Sequence, residues 1–144
     1  MRDRREFATK IGLAYLALVL LETGIWAVAD PQGFFRNFPG VGSSHWVAAN
    51  PPYNHHLVID AGSGFFAIGL IMALAIFWSD RRVRQLALIA YLAEGLPHVL
   101  FHIIHPADAL GAGDRIVSTG GLGFGCALAV LLLVTVSRQR VAPS

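Results

Sequence analysis

The stretch Glu94-Gly95-Leu96-Pro97-His98-Val99-Leu100-Phe101-His102-Ile103-Ile104-His105 closes an apolar run that begins near Val83. The run matches the ~20 residues that cross a bilayer as a helix. On a helix, Glu94, His98 and His102, spaced four apart, fall on one stripe, with His105 near the same line. Ionisable groups inside a span are costly, usually face a bundle interior or a wet cavity, and tend to be functional there. One stretch therefore predicts both a membrane helix and a site on it.

The rest of the chain repeats the pattern. Of its 144 residues, 55% are hydrophobic and 14% charged, where a soluble domain carries roughly 25% charged. Apolar runs at about Ile11–Ala29, His55–Trp78, Val83–Ile104 and Ile116–Val136 predict four spans. None alternates as a barrel strand does, and a helix satisfies its own backbone in lipid. The expectation is an all-α integral membrane four-helix bundle, with residues 1–144 forming a single transmembrane domain. The single cysteine, Cys126, excludes an intrachain disulfide. The net charge is only +2, and no nucleic-acid partner is expected.

Lysine and arginine set the orientation. Arg2, Arg4, Arg5 and Lys10 precede the first span, Arg81, Arg82 and Arg84 separate the second from the third, and Arg138 and Arg140 follow the fourth. The other two connections hold Arg36 and Arg115. The positive-inside rule then places both termini in the cytoplasm of a multi-pass protein of the inner (plasma) membrane. Arg4-Arg5-Glu6-Phe7 resembles a twin-arginine export signal, and Ala27-Val28-Ala29 a signal-peptidase site. Glu22 interrupts that apolar region and three more spans follow, so an uncleaved first span is expected. The outer loop, residues 30–54, carries Phe34, Phe35, Phe38, Trp46 and Tyr53. It reads either as a lid on the bundle or as an interfacial anchor.

Depth follows from the helical rise. Counting inward from Lys10, Glu22 lies ~18 Å above the cytoplasmic edge; from Arg84, Glu94 lies at ~15 Å, His98 at ~21 Å and His102 at ~27 Å. Asp60 lies ~28 Å up from Ser79, with His56 one turn above. Glu22 and Glu94 thus share a level near the midplane, and Asp60, His56 and His102 a level near the outer surface. A polar cavity opening outward is the simplest arrangement. Glu94 and His102 stand ~12 Å apart along the axis. Ligands of one ion lie within about 4.5 Å of each other. The whole stripe therefore cannot serve a single metal, whereas His98 with His102, or His102 with His56 and Asp60, would fit one.

Pro97 removes a backbone donor just before His98, and a kink there would aim His98 inward. His56 and Asp60, at i and i+4, read as a ligand pair or as a ligand with its orienting carboxylate. In the fourth span Gly121 and Gly125 form a small-xxx-small pair suited to close helix approach, and Gly62 and Gly64 suggest the same for the second. Cys126 reads first as a small apolar filler.

The segment Tyr53-Asn54-His55-His56-Leu57-Val58-Ile59-Asp60-Ala61-Gly62, followed a span later by Pro97-His98-Val99-Leu100-Phe101-His102, resembles a pattern of small four-span bacterial membrane proteins common among actinobacteria. The resemblance covers the second and third spans. It implies a four-helix bundle with a shared polar site at Asn54, His56, Asp60, His98 and His102, and it brings no activity, cofactor or substrate.

Three functional expectations follow. The first is a transition-metal site of iron, zinc or copper on His56, Asp60, His98 and His102, with Glu94 or Glu22 as catalytic acid or base on a lipophilic substrate. The second is a b-type haem held between histidines of the second and third spans. The third is a non-enzymatic subunit of a homo-oligomer or larger membrane complex, docked through the glycine-rich fourth span, with membrane lipid as the surrounding partner.

Overall fold

The computed structural model describes residues 2–138; Arg140, counted above among the cytoplasmic charges, lies outside them. The order of elements is α1 Arg2–Ala29, α2 Pro31–Asn37, α3 His55–Trp78, α4 Arg81–Ile104 and α5 Ala112–Ser137. Four of these helices are long and apolar enough to cross a membrane. The chain is an all-helical, multi-pass membrane bundle.

Local sequence explains the helix ends. Asn54 caps α3 by accepting from the Leu57 amide at 3.0 Å. Ser79 ends α3 in the left-handed region, at φ 44°. Asp80 then caps α4, accepting from the Arg82 and Val83 amides at 2.8 and 3.1 Å. Helix α4 runs unbroken through Pro97. The short α2, absent from the sequence expectation, starts where the Asp30 carboxylate accepts from the Gly33 amide at 2.9 Å, with Pro31 at the first helical position.

The bundle is built as two tight pairs, α1 on α3 and α4 on α5. Glycine lets each pair close. A Cβ on Gly24 would stand 2.5 Å from the Phe66 amide nitrogen, and one on Gly62 would stand 2.7 Å from the Ala27 methyl. In the second pair, a Cβ on Gly95 would meet Cys126 Sγ at 2.9 Å, and one on Gly125 would collide with the Tyr91 hydroxyl. The expected roles of Gly62 and Gly125 are found. Gly64 and Gly121 have no such neighbour within 4 Å and make no close helix contact.

The two pairs are joined at the end that carries the α3–α4 turn. Leu13, Leu16, Met72, Leu88 and Val136 are fully buried there. Arg84, counted in the sequence among the basic residues between the second and third spans, is 1% exposed. Its guanidinium donates to both carboxylate oxygens of Glu6, at 2.8 and 2.6 Å, to Ser79 Oγ at 3.0 Å and to the Ala75 carbonyl at 3.2 Å. A two-pronged Arg–carboxylate pair is geometrically selective, and here it ties α1 to α4 across the bundle.

At the opposite end the 30–54 segment lies across the helices as a lid. The rings of Trp26, Phe34, Phe38 and Trp46 form a row with centroids 5.8, 4.9 and 6.0 Å apart. Asp114 at the start of α5 holds the segment down, accepting from Ser44 Oγ at 2.6 Å and Trp46 Nε1 at 3.0 Å.

Candidate functional site

Between the lid and the packed core the two helix pairs part, and a cavity of about 620 Å³ lies between them. This is within the usual size of small-molecule sites. Its walls are mainly apolar and aromatic, with Phe34, Phe38 and Trp46 above and Leu20, Phe65 and Leu122 among the sides. The polar side is α4, which presents Tyr91, Glu94, His98 and His102 in succession.

These four share a stripe because the spacing three, four, four follows the helical period. His98 Nδ1 lies 3.1 Å from Glu94 Oε1. The His98 ring stacks on Phe65 of α3, centroids 6.0 Å apart and 14° from parallel. It also lies 5.0 Å from the His102 ring. With Nδ1 engaged by the carboxylate, Nε2 of His98 is the nitrogen left for a ligand or a proton. The Thr23, Asn50 and Ser118 side chains add hydroxyl and amide groups to the wall.

The residues expected from α3 stand elsewhere. His56 Nδ1 and Asp60 Oδ2 do pair, at 2.9 Å, but their side chains are 87% and 59% exposed, and neither borders the cavity. Their spacing of four puts them on one side of α3. Val58, Ala61 and Phe65, which border the cavity, lie on the other. Asn54 borders the cavity rim while capping α3. Glu22 is exposed on α1 and is not part of the wall, so the level it shares with Glu94 does not become a contact. Among the described residues no three His, Cys, Asp or Glu side chains come together as a metal-binding group.

One cavity residue, Tyr91, had a signal that sequence reading passed over. Tyr91 lies three residues before Glu94 and extends the same stripe. Arg115, at the rim, is turned to the backbone of its own loop, Nε donating to the Leu110 carbonyl at 2.9 Å. Cys126 is buried, packs over Gly95 and borders the cavity floor.

No protein-family model, no curated protein and no solved structure matches this chain.

Proposed function

We propose that this chain holds a lipophilic molecule beneath the lid and presents Glu94, His98 and His102 to its polar end. The observation that carries the reading is the cavity itself, apolar on most sides and polar along one stripe. A space of about 620 Å³ lined mainly by apolar side chains, with its polar groups gathered along one helix, has the size and character of a small-molecule site. Such a space is built for an occupant. Apolar walls do not order water, whereas a hydrocarbon fits them. The Glu94–His98 pair supplies an imidazole oriented by a carboxylate, the arrangement of a general base or acid.

Both termini belong in the cytoplasm under this reading, with the lid outside the plasma or inner membrane. Arg4, Arg5, Arg81 and Arg82, grouped at the end opposite the lid, support that orientation. The reading is tested by purifying the chain in mild detergent, extracting it and weighing what is released by mass spectrometry. A lipophile retained at stoichiometry by the wild type and lost from Ser118→Trp, which fills the cavity, is the expected result. Equal recovery from both proteins would sink it.

One observation favours a second reading, a transition metal on His98 and His102. The two imidazoles are neighbours, and Glu94 engages His98 through Nδ1 as carboxylates orient metal-bound imidazoles. Iron, zinc or copper accept such nitrogens, with the remaining positions left to the lipophile or water. Elemental analysis decides between the two: stoichiometric metal that disappears in His98→Ala and His102→Ala selects the metal. A haem shared between α3 and α4 would need His55 or His56 inside the bundle, and both are exposed.

A further inference from the structure

A cavity roofed by the lid and floored by the core is entered from the side, and two seams separate the helix pairs. The α3/α4 seam is crossed by the His98 ring stacked on Phe65. The α1/α5 seam is closed only in its lower part. There the Leu132 side chain packs on Gly12, and Tyr15 meets Phe124 edge-on at 5.8 Å. Above that contact Val19 of α1 and Val117 and Gly121 of α5 border the cavity. Val117 is also 60% exposed, and no atom lies within 4 Å of a Cβ built on Gly121. These residues face the cavity and the bilayer at once.

Glu22 stands beside this opening. It follows Tyr15 by seven residues and Val19 by three, which places it on the same side of α1. It is exposed and forms no ion pair among the described residues. It lies seven residues below Ala29, or ~10 Å below the end of α1. A carboxyl facing hydrocarbon at that depth is costly. At the mouth of a seam it has a polar group to meet each time a ligand head passes.

The wall also selects the head. Arg115 is the one Lys or Arg on it among the described residues, and its guanidinium is engaged by the Leu110 and Asp108 carbonyls at 2.9 and 3.1 Å. A phosphate or carboxylate head meets there only a guanidinium whose Nε and Nη2 already donate to backbone carbonyls, and it meets the Glu94 carboxylate beside His98. A hydroxyl, in contrast, donates to a carboxylate and accepts from an imidazole N–H.

From these observations we infer that the α1/α5 seam is a lateral portal for a neutral, hydroxyl-bearing lipid. Its head reaches Glu94, His98 and His102, and its hydrocarbon chain lies in the seam between Val19 and Gly121. The inference rests on the cavity being the binding site.

Two photoactivatable long-chain alcohols test it, on the full chain in phospholipid nanodiscs. One carries a diazirine beside the hydroxyl, the other midway along the chain, and labelled residues are read by mass spectrometry. The head probe is expected to label α4 between Glu94 and His102, saturably. The mid-chain probe is expected to label Tyr15 to Thr23 and Val117 to Phe124. Gly121→Phe, and independently Val117→Trp, plug the seam and should lower labelling by both probes about tenfold. Gly64→Phe, on α3 with open space around it and away from the cavity wall, should leave labelling unchanged. Melting temperatures verify that each variant is folded. Head-probe labelling of α4 that persists in both plugged variants, or mid-chain labelling at Leu57 and Phe101 instead, overturns the portal and leaves the cavity reading standing. No saturable head-probe labelling of the wild type overturns the cavity reading and the portal together. Competition by a chain-matched fatty acid as strong as by the alcohol overturns the assignment of the head.

Discussion

Glu94 and His98 act as one unit, because a hydrogen bond of 3.1 Å fixes the imidazole and Phe65 holds its plane. Removing either should lower retention of a long-chain alcohol probe by about tenfold, the worth of one charge-assisted hydrogen bond. His56→Ala and Asp60→Ala should leave retention unchanged, since both side chains point away from the cavity. An equal loss in all four variants would show that the α3 pair belongs to the site. Gly125 is a different kind of residue, spaced for contact rather than chemistry. Gly125→Leu drives a side chain into the Tyr91 hydroxyl and should cost about 1–3 kcal/mol, seen as a lowered melting temperature in detergent. The α4 residues were legible in the sequence because spacing along one helix is a local property. The exclusion of His56 was not. Helix α3 is apolar nearly all round, so nothing in its sequence marks which side faces its neighbours.

The lid is an element held by few bonds. Asp114 accepts from two donors some seventy positions earlier, Ser44 and Trp46, while the aromatic row packs the segment from below. Asp114→Ala removes both acceptors at once. Amide exchange across residues 43–47 should then quicken by roughly tenfold or more, while α3 and α5 keep their protection. Unchanged exchange at Trp46 would mean that the aromatic contacts alone hold the lid. The aromatic richness of the loop was plain in the sequence, and so was its choice between covering the bundle and anchoring in the headgroups. Helix α2 was missed although Asp30-Pro31 carries a cap and a first-turn proline. The Asp114 tether joins distant segments, and no local pattern announces it.

Across the whole molecule, one end is sewn shut and the other parted. Arg84 and Glu6 close the far end, and the buried guanidinium depends on its carboxylate. Glu6→Ala should destabilise by about 2–4 kcal/mol, because it leaves a buried charge unpaired. Adding Arg84→Met should recover much of that loss, since an apolar side chain of similar length has no charge to satisfy. Denaturation of the single and double variants in detergent measures both, and a double variant no more stable than Glu6→Ala would refute the account. The closed end explains why the cavity lies under the lid rather than running through the molecule.

The all-helical membrane architecture, the four spans and the Glu94–His98–His102 stripe follow from local sequence alone. Hydropathy and helical period are local quantities, and in lipid a chain of this pattern has no other way to satisfy its backbone. Helix ends were legible only to within several residues, because α1 and α5 continue as polar helix beyond their apolar runs. The rotation of α1 and α3 about their axes, and with it which polar groups share a cavity, emerges only once the helices pack together. That rotation is set by contacts between helices. Gly24 meets Phe66 and Gly62 meets Ala27, and this packing turns His56, Asp60 and Glu22 away from the cavity. Depth along a helix can be counted from one chain segment; direction around it requires the neighbour.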